Sequence, residues 1–201
     1  MIEFGLNFFQ GKVMSEFILK LSNISKSFGG VKVLENVSFD VEKGSRHALI
    51  GPNGAGKTTL FNVISGIHDP EKGTVYFKGK DLRGVPSRKR IHRGLSRSFQ
   101  NIRLMPHLSV LENVMLGQHS RINFVDMFKP LDFLSKSSGK GEAIETLKSF
   151  GIDLHKGQTV SSLPYGIRKK IEVVRALMAK PSLLLLDEPA AGLNTAETKT
   201  L

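Results

Sequence analysis

Residues Gly51–Thr59 read GPNGAGKTT, the stretch from which the fold of this chain can be worked outward. It satisfies G-x-x-x-x-G-K-[ST]: Gly51, Pro52, Asn53, Gly54, Ala55 and Gly56 make a loop of mostly small residues, and Lys57, Thr58 and Thr59 follow. Small residues let successive backbone N–H groups curl around phosphate oxygens, and a helix beginning directly after the loop turns its positive end toward them. Lys57 can then reach the outer phosphates as a point charge, and the Thr58 hydroxyl can ligand Mg²⁺. The preceding RHALI reads as a buried strand. The following KTTLFNVISG carries Leu60, Ile64 and Ile67 at helical spacing, with Gly66 where a helix could end.

A phosphate loop calls for acids elsewhere in the chain, and LLLLDEPAAGLN supplies them. Leu183–Leu186 read as a buried strand with Asp187 and Glu188 at its mouth. In a P-loop nucleotide hydrolase, an acid at the end of a second buried strand holds Mg²⁺ through the metal's water shell, and a neighbouring carboxylate polarises the attacking water. Asp187 takes the first role in this reading and Glu188 the second.

Composition bounds the remainder. At 201 residues and 40% apolar, the chain can bury the core of one domain, or of one domain with an inserted lobe. No stretch approaches the roughly 18 consecutive apolar residues of a membrane-crossing helix. Cysteine is absent, which excludes disulfides and Cys-based zinc sites and suits a reducing cytoplasm. Net charge is +11, and between Lys78 and Arg103 nine Lys or Arg face one acid, Asp81. That run holds a single aromatic, Phe99, so it reads as a solvated basic face, and nucleic acid is not an expected partner.

The first third alternates as strands do, in FILKLSNISKSF and VLENVSFDVEKG, with GTVYFKGKDL as a later strand and turn. Residues from about 101 to 180 turn helical in period, and Ile167, Ile171, Val174 and Met178 fall on one face of the last segment as a core stripe. RINFVDMFKPLDFLSKSSGKG, broken by Pro130 and ending in a Ser/Gly/Lys patch, reads as an insertion with a mobile tip. Residues 1–14 read as a non-native or disordered leader, since Met14 opens MSEFILKL; the domain proper then runs over 15–201.

Over residues 17 to 198 these segments together resemble the nucleotide-binding domain of ATP-binding cassette (ABC) transporters. The resemblance implies an α/β fold: a P-loop NTPase core of ABC type with an antiparallel β subdomain and an inserted helical lobe, incomplete at its C-terminus. It implies that Phe28 of KSFGG stacks on adenine, a flat ring being a low-specificity platform. Gln100 of SRSFQN would approach Mg²⁺ and the attacking water. Leu163, Pro164, Tyr165 and Gly166 would be the signature segment that meets the γ-phosphate bound by a second, head-to-tail subunit. The family's common form there is L-S-G-G-Q, so Pro164 removes a serine hydroxyl and a backbone N–H.

The variant LPYG, with SFQNIRLMPHLSVLENV and LLLLDEPAAGLN, is similar to the ATPase subunits of branched-chain amino acid importers. The implied protein binds ATP and Mg²⁺, works as a homo- or heterodimer on the cytoplasmic face of the membrane, joins integral-membrane permease subunits, and meets a periplasmic or surface binding protein indirectly. The family's switch histidine would lie beyond Leu201, so slow or no hydrolysis is expected of these 201 residues. A nucleotide-binding module acting through protein interaction is the alternative expectation.

Overall fold

The computed structural model describes residues 3–4, 17–98, 104–118, 138–153 and 158–192. They divide into two compact units, Met1–Arg90 and Ile91–Leu201.

The first unit is built on antiparallel pairing. After β1 (Glu3–Phe4), the strands β2 (Phe17–Phe28) and β3 (Val31–Glu42) form a hairpin whose turn is Gly29–Gly30. Both glycines have positive φ, +54° and +84°, the backbone that a two-residue turn needs to match the twist of its strands. β4 (Leu49–Ile50) precedes helix α1 (Lys57–Ser65), and β5 (Lys72–Phe77) and β6 (Lys80–Asp81) complete a four-stranded sheet of order β3-β2-β5-β6. Alternation along β2 and β5 buries Leu19, Leu21, Ile24, Val75 and Phe77, while Lys20 and Lys26 project toward solvent or lie half-buried.

Two expectations need correction here. RHALI is no long buried strand: β4 has two residues, pairs antiparallel with β1, and leaves Ile50 exposed, because among the described residues no second neighbour covers its other edge. Ile67 is outside α1 and exposed, because Gly66 enters the left-handed region at φ +77° and ends the helix one residue earlier. Leu60 and Ile64 are buried as their spacing predicts.

Helix α2 (Ser87–His92) closes the first unit and carries Arg90 into it. The guanidinium is only 2% exposed and donates from Nε to the Val85 carbonyl, from Nη1 to those of Val63 and Ile64, and from Nη2 to that of Leu82. Val63 and Ile64 lie in the last turn of α1, where carbonyls lack the partners of a helix interior and a cation is favoured, although that of Val63 also accepts from the Gly66 amide.

The second unit contains β7 (Leu95–Arg97) and β8 (Leu183–Leu185), paired in parallel with Leu95 opposite Leu183 and Arg97 opposite Leu185. Parallel neighbours require a long crossover, and this one carries α3 (Val110–Leu116), α4 (Ser138–Ser149) and α5 (Tyr165–Leu177). Their apolar faces meet in one cluster that includes Val110, Val114, Leu147, Ile171, Val174 and Met178, with Ile167 packed at its edge, as the helical stripe predicts. Ser109 caps α3 in a reciprocal arrangement: its Oγ accepts from the Glu112 amide, and the Glu112 carboxylate accepts from the Ser109 amide. The Ser/Gly/Lys patch is partly helical, since α4 starts at Ser138 and includes Gly139 and Gly141. Residues 119–137, the body of the expected mobile insertion, lie outside the described residues.

Candidate functional site

In the first unit, the loop before α1 turns on two glycines of positive φ, Gly54 at +83° and Gly56 at +85°. Gly56 is required twice over: a Cβ there would sit 2.8 Å from the Val33 carbonyl oxygen and 3.0 Å from Leu34 Cδ2. Close approach of the loop to β3 thereby fixes where α1 begins. The start of α1 has no side-chain cap and no acid in its first turn, so the amides of its opening residues are left to an external acceptor. Lys57 is half-buried and its Nζ donates to the Gly51 and Pro52 carbonyls at 2.6 and 2.8 Å, which holds the ammonium over the loop. Pro52, Asn53, Gly54 and Thr58 are exposed, Gly51, Ala55 and Thr59 half-buried, and Gly56 buried.

Phe28 ends β2 immediately before the Gly29–Gly30 turn and is 42% exposed. The His68 ring meets it edge-on, with centroids 5.3 Å apart and planes at 68°, and Lys26 Nζ lies 5.4 Å from its centroid. One contact is to an edge and the other is a cation–π approach, an arrangement that props the ring in place.

In the second unit, Asp187 follows β8 by two residues and is buried, with Glu188 beside it exposed. Asp187 Oδ2 accepts from Arg97 Nη2 at 2.8 Å, and the two side chains are 6% and 7% exposed. Glu188 has φ +48°, a left-handed conformation that costs a non-glycine residue on the order of 1 kcal/mol. The turn that imposes it is closed by the Ala191 amide donating to the Glu188 carbonyl.

The segment Leu163–Gly166 lies in the same unit. Pro164 is the N-cap of α5, at φ −55° and ψ 152°, and its carbonyl accepts from the Arg168 amide. The amides of Tyr165, Gly166 and Ile167 therefore open the helix, and the N–H that proline lacks belongs to a position before them. Gly166 is buried and Leu163 half-buried. Tyr165 is 41% exposed, with its ring so close to Gly192 that a Cβ on the glycine would stand 2.9 Å from Tyr165 Cε1. The segment at Tyr165 and the loop after Glu188 thus touch within one chain. Gln100 and Asn194 lie outside the described residues.

The oxygen donors suit magnesium. Among the described residues no group of three or more His, Cys, Asp or Glu is gathered as a metal cage. The Thr58 hydroxyl in the first unit and the Asp187 carboxylate in the second are each a hard oxygen donor of the kind Mg²⁺ accepts, an ion that completes its shell with phosphate oxygens and water.

The ABC transporter family profile matches residues 34–191. This chain belongs to the ABC transporter family. Among curated relatives, the branched-chain amino acid transport ATP-binding protein LivG of Salmonella typhimurium is 36% identical over 192 residues, covering 94% of this chain and 75% of LivG. BraF of Pseudomonas aeruginosa is 35% identical with the same coverage. The ribose import ATP-binding protein RbsA of Caldanaerobacter subterraneus is 37% identical, but the match spans 36% of it. Among solved structures, the ADP conformation of MJ1267, an ATP-binding cassette of an ABC transporter, superposes with a TM-score of 0.77 at 32% identity, over 92% of this chain and 73% of that one. Fold and family of this ABC ATPase are therefore those that the motifs imply.

Arg97 and Arg90 are the residues that the sequence reading passed over. Both lie in the basic run taken for a solvated face, yet Arg90 is buried and the Arg97 side chain is nearly closed to water, each with specific acceptors. For Arg97 the signal is its place at the end of a short strand, LSR, whose first two residues are buried.

Proposed function

We propose that this chain is the ATP-binding and hydrolysing subunit of an importer for branched-chain amino acids. The observation that carries the reading is the loop at Gly51–Gly56, with its uncapped helix start and Lys57 folded over it, in a chain collinear with three quarters of LivG and BraF. The loop amides and the start of α1 bind the triphosphate, Lys57 places its charge on the β- and γ-phosphates, and Phe28 supports the adenine. Thr58 and, through water, Asp187 would hold Mg²⁺, with Gln100 as a further contributor. The ion, when bound, supplies charge neutralisation at the phosphates. Glu188 orients and polarises the attacking water, taking up its proton as the new bond to the γ-phosphorus forms and the bond from that phosphorus to the β–γ bridging oxygen breaks, with ADP as the leaving group. Leu163, Pro164, Tyr165 and Gly166 act on the nucleotide of a paired subunit, with the amides of Tyr165 and Gly166 as donors.

Pairing with a second ABC ATPase and with permease subunits places the chain at the cytoplasmic face of the membrane. No described helix is long and apolar enough to cross it. The solute assignment rests on coverage: LivG and BraF match over 75% of their length, the sugar-import relatives over 35–36%.

The test is uptake of labelled leucine and ribose in cells lacking the gene, complemented with the native gene or with Glu188→Gln. The reading expects leucine uptake to be lost on deletion, restored by the native gene and not by the variant, with ribose uptake constant. Loss of ribose uptake alone would overturn the assignment.

A further inference from the structure

We propose that Arg97 is a positioning residue for Asp187, setting the orientation through which that carboxylate serves the magnesium ion. The inference deepens the reading of Asp187 as the metal-side acid and rests on it.

Parallel pairing sets Arg97 opposite Leu185, two residues before Asp187, so the arginine side chain reaches forward one repeat of the neighbouring strand to meet the carboxylate. Arg97 is the one hydrogen-bond partner of the Asp187 side chain among the described residues. Both side chains are nearly excluded from water. An unpaired carboxylate there would be costly and would turn toward any cation or donor in reach. A guanidinium donor is directional, so its bond holds Oδ2 in place as well as balancing the carboxylate's charge, leaving Oδ1 outside that bond. Partners that hold a metal-side carboxylate in this way typically govern metal affinity about 10–100-fold without touching the ion. Ser98, next along the chain, donates its amide to the Leu185 carbonyl, so the strand is tied to β8 on both sides of the arginine's contact. Arg97 also stands three residues before Gln100 in sequence. A shift of that strand is therefore felt at Asp187.

The experiment is equilibrium binding of a fluorescent ATP analogue to the full chain, in excess Mg²⁺ and in EDTA, the readout being the ratio of the two affinities. Four proteins are compared with the unsubstituted chain: Arg97→Met, Arg97→Lys, Asp187→Asn, and the double variant Arg97→Met/Asp187→Asn. Arg97→Met is expected to cut the magnesium-dependent gain about tenfold while leaving the EDTA affinity within about twofold, and Arg97→Lys to recover part of the gain.

The double variant leaves no buried charge alone, so it remains informative even where Arg97→Met folds poorly. Its ratio is expected to equal that of Asp187→Asn, since nothing remains for Arg97 to position. An unchanged ratio in Arg97→Met, a ratio that rises, or a double variant below Asp187→Asn would overturn the role. A chain that binds the analogue equally with and without magnesium before any substitution would overturn the metal-side reading of Asp187 itself.

Discussion

Replacing Arg90 by Met should unfasten the end of the phosphate-loop helix. Four of its N–H groups donate to the carbonyls of Val63, Ile64, Leu82 and Val85 at 2.8–3.0 Å, in a site almost closed to water. Hydrogen bonds from a charged donor contribute about 1.5 kcal/mol each at the low end, or about 6 kcal/mol for four. Methionine returns about 2 kcal/mol by burying an apolar chain in the same space. The expected loss is about 3–5 kcal/mol, a large part of the 5–15 kcal/mol that typically holds a domain together. Urea unfolding followed by circular dichroism measures it. Arg90→Lys keeps the charge but draws its donors from a single nitrogen, so it should recover no more than about half of the loss. The Val63 and Leu82 carbonyls also accept from the Gly66 and Val85 amides, so a drop below about 1 kcal/mol for Arg90→Met would refute the reasoning by showing that the carbonyls are satisfied without the guanidinium.

Three further substitutions probe the binding surfaces and caps. Gly56→Ala should cost at least about 2 kcal/mol in the same assay and abolish nucleotide binding, since it combines left-handed strain with a clash against the Val33 carbonyl. Phe28→Ala should weaken ATP binding about 5- to 10-fold in a titration while leaving binding of inorganic triphosphate unchanged, as loss of a stacked ring alone predicts. Glu112 is held below the usual carboxylate range by its bonds from the Ser109 hydroxyl and amide, so its contribution is present above the ordinary range and is lost as the pH falls through the depressed value. Glu112→Gln should therefore reduce the difference in thermal stability between neutral and strongly acid pH.

How far the sequence could be read followed from the kind of interaction involved. The glycine-rich turn at Gly51–Gly56 was legible because backbone geometry dictates its residue types, and Gly56 shows why: only glycine fits between β3 and α1. The strand ahead of Asp187 and the core stripe on α5 were legible because burial imposes period. Ion pairs that cross between strands carry no such period. Arg97 finds its acid 90 positions later in the chain, so nothing local distinguishes it from the solvated charges around it. The same holds on α5, where Lys169 and Glu172 are fully buried as an ion pair at 3.6 Å on a helix whose pattern assigns them to solvent. The touch of Tyr165 on Gly192 joins two motifs that sequence lists as separate, and only the fold supplies that link.

The central claim is that ATP binds at Gly51–Thr59, and calorimetric titration of ATP into the native chain and into Lys57→Ala tests it most directly. The account predicts saturable binding of one nucleotide per chain, weakened at least about tenfold in Lys57→Ala with an unchanged unfolding profile. Equal affinity in the two proteins would contradict it.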